Sequence, residues 1–162
     1  MYEIGPLMYP DEIPVREALA DYFAQYHFKD GGYNDRWFHL KIGRLMIPFP
    51  NIPARVEAVK LHDLHHVITG YRADRKGEVE IRAWELGGGC GRYWVASLLN
   101  EEVALIGLFL YPRALFFAFR SGRGVPNNLY HGVAYEGLLD KTVGQLRTSI
   151  LERPVRDVAP RV

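Results

Sequence analysis

Residues 54–86 read ARVEAVKLHDLHHVITGYRADRKGEVEIRAWEL, and this stretch decides the fold. Ala54 to Thr69 has helical spacing and stops at Gly70, a residue that enters the left-handed region without a Cβ clash and so suits a C-terminal cap. Gly77 to Leu86 resumes the helical character, with Val79, Ala83 and Leu86 on one face. A helix, a short turn and a returning helix are expected here, in which an antiparallel return sets Glu78 opposite the histidines of the first helix.

The same periodicity extends outward. Asp11 to Phe28 carries an apolar stripe of Val15, Leu19, Tyr22, Phe23 and Tyr26, broken at Gly31-Gly32. Asp35 to Met46 reads as a second helix. Pro48, Pro50 and Pro53 then mark an extended connection, because each proline blocks a helix interior. Tyr93 to Phe119 is a long apolar helical region split or kinked at Pro112, Ser121 to Asn128 a turn cluster, and Tyr135 to Leu151 a final amphipathic helix. No alternating strand pattern is identified. The expected architecture is all-α: a single domain over residues 1–162, core about 11–151, of six or seven helices.

Composition agrees with one globular domain. The chain has 162 residues, 48% apolar and 24% charged, which excludes disorder as the dominant state. Twenty basic and 19 acidic residues leave a formal charge of +1, so no global field favours nucleic acid. The single Cys90 has no partner for an internal disulfide. The first residues lack the basic and apolar regions of a signal peptide, and the most apolar run is interrupted at Pro112-Arg113, short of the roughly 20 residues a membrane helix needs. A cytoplasmic protein, in peripheral contact with the membrane, is expected.

The chemistry concentrates at His62, Asp63, His65 and His66, which hold three of the six histidines. At about 100° per residue, His62, Asp63 and His66 share one arc of the helix, and His62 and His66 are i,i+4 neighbours able to reach one ion. Glu78 adds a carboxylate from the next helix. The pattern is His-Asp-x-x-His, eleven residues, then Glu. Two imidazoles with one or two carboxylates form a mixed nitrogen–oxygen set suited to Zn²⁺, Fe²⁺ or Mn²⁺, with room for water or substrate. His65 falls on the other side of His62 and is expected either to face solvent or to support the ligands from behind. Zinc proteases place Glu after the first His, and His-Asp phosphohydrolases need further ligands that only His27 and His39 could supply by coincidence.

The segment His62 to Gly70 followed by Gly77-Glu78-Val79 resembles the signature of the coenzyme Q (ubiquinone) biosynthesis protein 4 family, whose His-Asp-x-x-His, eleven-residue and Glu spacing it matches without a gap. Ser121-Gly122-Arg123-Gly124-Val125-Pro126 with Leu129-Tyr130 resembles that family's Gly-Arg-x-x-Pro and Leu-Tyr segment. The likeness spans roughly Asp11 to Leu151. It implies an all-α fold, a metal at His62, Asp63, His66 and Glu78 with zinc foremost, and oxidative decarboxylation of a prenylated hydroxybenzoate-like ring by a metal-dependent oxidative decarboxylase or lyase. Its implied partners are prenyl lipids, the membrane and the proteins of a biosynthetic complex. A non-catalytic lipid-binding scaffold and a paralogous enzyme of secondary metabolism are the alternatives.

Further candidates surround this set. Glu85 could sit behind the ligands, and Arg120 and Arg123 could hold a carboxylate or phosphate. Val103 to Tyr111 is apolar all round, which suits a buried core helix or a lipid tunnel. Leu115, Phe116, Phe117 and Phe119 could form a membrane-touching patch, and an aromatic-rich neutral chain allows a homodimer. Gly87 to Gly91 follows no strand and precedes no Gly-Lys-Ser/Thr, so close helix packing or a kink is expected in place of a phosphate loop.

Overall fold

Helix formation around Gly70 organises the chain in the computed structural model, which describes residues 8–42, 45–125, 128–131 and 134–151. Helix α1 spans Val15–Gln25, and α2 spans Pro53–Thr69 with proline in its first turn, where the missing N–H costs nothing. Gly70 ends α2 with φ 77°. Asp74 then starts α3 (Arg75–Gly88), its carboxylate accepting from the Lys76 and Gly77 N–H groups at 3.1 and 2.9 Å. Helices α4 (Trp94–Leu110) and α5 (Pro112–Arg123) divide at Pro112, as the sequence predicts. A short 3-10 helix, Leu129–His131, precedes α6 (Tyr135–Leu139) and α7 (Val143–Leu151). The described residues are thus mostly helical, as expected.

Two elements differ from the sequence reading. Where a helix was expected over Asp35–Met46, the chain forms an antiparallel pair, β1 (Trp37–Ile42) and β2 (Leu45–Pro50), in register Trp37 to Pro50 and Ile42 to Leu45. Phe38, Leu40 and Ile42 alternate with His39 and Lys41, which is strand period. Pro48 and Pro50 forbid helix and sit comfortably in a two-stranded sheet that has only edges. Phe38 stacks on its partner Phe49 with ring centroids 5.5 Å apart. The expected final helix is two helices, divided at Thr142. The Gln145 N–H donates to Thr142 Oγ1 at 3.2 Å and Gln145 Oε1 accepts from the Thr142 N–H at 2.9 Å, the reciprocal pair that begins a new helix.

The core forms where these helices meet. Leu61, Leu64, Val67 and Ile68 of α2 pack with Val15, Leu19 and Tyr22 of α1, Ile81 and Trp84 of α3, and Leu138, Val143 and Leu146 near the C-terminal end. Each fully buried leucine or isoleucine contributes about 1.5–3 kcal/mol. Helices α3 and α5 approach so closely that a Cβ on Gly87 would meet the Phe119 carbonyl oxygen, and one on Gly122 the Trp84 carbonyl oxygen. Close packing is therefore the role of the glycines that end α3. Val103 to Tyr111 is not core. Leu105, Ile106, Phe109 and Leu110 face outward, away from α2, α3 and α5, which pack against α4. Among the described residues no helix is long and apolar enough to cross a membrane.

Candidate metal centre

His62 and His66 project from consecutive turns of α2, and α3 brings Glu78 to them. His62 Nε2 and His66 Nε2 are 3.2 Å apart. Glu78 Oε1 lies 3.2 Å from His66 Nε2, and Glu78 Oε2 lies 3.5 Å from His62 Nε2. Ligands about 2.0–2.1 Å from a tetrahedral ion stand about 3.3 Å from one another. The two Glu78 edges end on different carboxylate oxygens; with one ligand atom from each residue, the three donors lie within 4.8 Å of one another, and His62, His66 and Glu78 could hold a metal.

The opposite ring nitrogens make this arrangement purposeful. His62 Nδ1 donates to Glu85 Oε1 at 2.9 Å, and His66 Nδ1 donates to the Tyr71 carbonyl oxygen at 2.8 Å. Both Nδ1 atoms are thus committed as donors. In the neutral rings both Nε2 lone pairs would then face each other and the Glu78 carboxylate. Only a cation, a proton or a metal ion, makes such a meeting of acceptors favourable. Burial penalises the His62 cation, but the Glu85 charge, opposed by Arg82, and the hydrogen bonds to Glu78 and Glu85 outweigh it and push the pKa up to about 10. Burial would raise the Glu78 pKa, yet its hydrogen bonds to His62 and His66 hold it well below the ordinary carboxylate range.

Glu85 is the support behind the ligands. It has no solvent exposure, and burial alone would keep it protonated. The His62 charge and the hydrogen bonds from His62 and His65 instead hold it ionised, well below its ordinary pKa. Its Oε2 accepts from Asn100 Nδ2 at 2.7 Å. Asn100 Oδ1 accepts from Arg82 Nη1 at 3.1 Å, and Arg82 Nε donates to Glu78 Oε2 at 3.2 Å. The chain Glu78, Arg82, Asn100, Glu85, His62 closes a ring of charge-assisted bonds around the centre. Such outer partners fix ligand orientation and basicity. Tyr22 adds a stacked face against His66, with centroids 5.4 Å apart.

The other expected residues fall as follows. His65 does not face solvent: it is fully buried between Trp84 and Tyr130, donates from Nδ1 to Glu85 at 2.6 Å and accepts at Nε2 from the Leu129 N–H at 3.2 Å. Burial lowers its pKa and keeps it neutral. Helix α3 crosses the helix face that carries it, which no spacing within α2 announces. Asp63 lines the same cavity but stands outside the three-donor cluster, its Oδ2 accepting from the Tyr33 hydroxyl at 2.6 Å. Arg120 and Arg123 are exposed at the end of α5 and take no part in the cavity, because α5 packs on the far end of α3. Arg55, Arg82, Asn100 and Tyr33 escape sequence reading. Two of them had a usable signal: Arg55 lies seven residues before His62 on the same helix face, and Arg82 lies four residues after Glu78, the spacing of a helical ion pair.

A cavity of about 360 Å³ opens over the centre, lined by Tyr22, Phe28, Val59, Arg55, Asp63 and Arg82 together with His62 and Glu78. Three protein donors beside an open volume would leave further positions for water or a ligand on a bound ion. No family model, no curated protein and no solved structure matches the chain.

Proposed function

We propose that this chain is a metal-binding protein of ubiquinone or related prenyl-quinone biosynthesis, of the coenzyme Q biosynthesis protein 4 type, acting on a prenylated aromatic ring. The observation that carries the reading is the juxtaposition of His62, His66 and Glu78 beneath an open cavity. Zinc suits the nitrogen–oxygen donor set, with iron and manganese as alternatives. When bound, the metal supplies Lewis acidity at a ring oxygen or carboxylate. The chain's own residues hold the ligands in one tautomer through Glu85 and the Tyr71 carbonyl, and Asp63 with Tyr33 presents a hydrogen-bonded carboxylate to the cavity. The reaction class implied by the motif is oxidative decarboxylation of a hydroxybenzoate-like ring, which needs an oxidant besides the metal.

A second reading, a lipid-presenting scaffold at the membrane, draws on the outer face of α4 and α5. Phe109 is 84% exposed and Phe117 74%, beside a groove of about 490 Å³ lined by Leu105, Leu108, Leu115 and Phe116, with Glu101 at its edge. Arg113, Arg120 and Arg123 accompany them, and no acidic residue occurs between Glu102 and Glu136. Such a face suits prenyl chains and an anionic bilayer surface.

Elemental mass spectrometry of wild type and Glu78→Ala tests the metal centre, followed by turnover of a prenylated hydroxybenzoate with the metal found. Near-stoichiometric metal in wild type, lost in the variant, is expected. Metal-free protein that also resists reloading would overturn the proposal. A loaded protein that leaves the ring intact but binds it would transfer the function to the scaffold reading.

A further inference from the structure

Arg55 occupies an unusual place in the cavity. It lies two turns before His62 on the same face of α2, so its Cα stands about 10 Å from the ligand along the helix axis, and both residues line one cavity. Its guanidinium lies 3.8 Å from the Phe38 ring centroid, and Nη1 donates to Asn51 Oδ1 at 2.7 Å. Asn51 in turn donates to the Gly32 and Asp35 carbonyl oxygens at 2.9 and 2.8 Å, so the loop over the cavity and the arginine are held by one side chain. Arg55 Nε is buried with no acceptor.

The acids that line this cavity are engaged elsewhere or stand at its mouth. Asp63 takes the Tyr33 hydroxyl, Glu78 takes Arg82 and the histidines, and Asp30 takes the Gly32 N–H and Asn34. Asp35 is exposed at the rim. Among the described residues Arg55 forms no ion pair. Half-buried guanidinium groups are ordinarily paired, because an unpaired charge out of water is costly. Burial lowers the Arg55 pKa, the Asp63 charge offsets part of this, and Arg82 across the cavity adds to the lowering.

We propose that Arg55 is the anion anchor of this cavity, receiving a carboxylate or phosphate oxyanion of a small ligand whose other end meets the metal centre. The planar fork matches two oxygens at once, and Val59, Tyr22 and Phe28 offer the apolar wall between the two ends. The ligand's second contact rests on the metal-centre reading; the anion contact does not.

The test titrates zinc-loaded and zinc-free protein with benzoate, phenyl phosphate and the neutral benzamide, followed by NMR, for wild type and Arg55→Gln. Wild type is expected to prefer an anion to benzamide by about tenfold, the scale of a charge-assisted pair, and Arg55→Gln to lose that preference while keeping its zinc stoichiometry. Whichever of benzoate and phenyl phosphate binds tighter identifies the oxyanion. Equal binding of anions and benzamide by wild type overturns the proposal without recourse to any variant, and so does an anion preference that survives in Arg55→Gln. A chain that takes no zinc yet shows the Arg55-dependent preference refutes the metal centre and leaves the anion site standing.

Discussion

Glu85 concentrates the chemistry of single residues. One buried carboxylate accepts from His62, His65 and Asn100, so its removal leaves three buried donors without their acceptor. Glu85→Ala is expected to destabilise the fold by about 3–5 kcal/mol, measured by urea unfolding. Glu85→Gln keeps the volume but weakens the orientation of His62, and its zinc affinity should fall about 10- to 100-fold in competition with a chromophoric chelator. The proton that bridges the metal-free centre gives a pH dependence with a definite sign. The His62 pKa is raised to about 10, so the stability this proton contributes is complete below about pH 6.5 and lost as pH rises through the raised value. A metal must displace it. Apparent zinc affinity should therefore climb about tenfold per pH unit from pH 6 to 8; a flat profile would mean that no proton is released.

At the scale of elements, the site depends on how α3 is started and how closely it is packed. The Asp74 cap fixes the first turn of α3, from which Glu78 projects, while the Tyr71 carbonyl in the connection between α2 and α3 orients His66. Farther along, Gly122 of α5 lies against the Trp84 backbone. A methyl group there must push the two helices apart, since its neighbour is backbone and cannot rotate away. Gly122→Ala should cost about 1–3 kcal/mol, read as a lowered urea midpoint with unchanged slope. A neutral result would show that α5 slides freely on α3.

For the molecule as a whole, polar and apolar functions lie on separate surfaces. The metal centre is enclosed by α1, α2, α3 and the loop before β1, whereas the apolar residues of α4 and α5 point outward. The two should therefore be separable. Phe109→Ser with Phe117→Ser is expected to abolish co-sedimentation with phosphatidylcholine–phosphatidylglycerol vesicles and to leave zinc stoichiometry intact. Retained vesicle binding would remove the membrane from the account of that face, and gel filtration of the same variant reports whether the face instead joins two copies.

The sequence by itself determined the parts governed by local periodicity and spacing. The α2 register puts His62 and His66 on one face, Gly70 stops that helix, and Pro112 divides α4 from α5, because each follows from backbone geometry within a few residues. The hairpin at Trp37–Pro50 was written in the alternation of Phe38, Leu40 and Ile42 but masked by a competing helical spacing, and the break at Thr142 was written in its Thr-x-x-Gln pair. Only the tertiary structure decided the rest. His65 is buried because α3 and the 3-10 helix close over it; Glu85 serves the ligands because α2 crosses it; Arg120 and Arg123 are bystanders because α5 packs elsewhere. Those outcomes depend on which helix faces meet. Contact between residues 20 to 60 positions apart is set by the packing of the whole core, for which no local pattern substitutes.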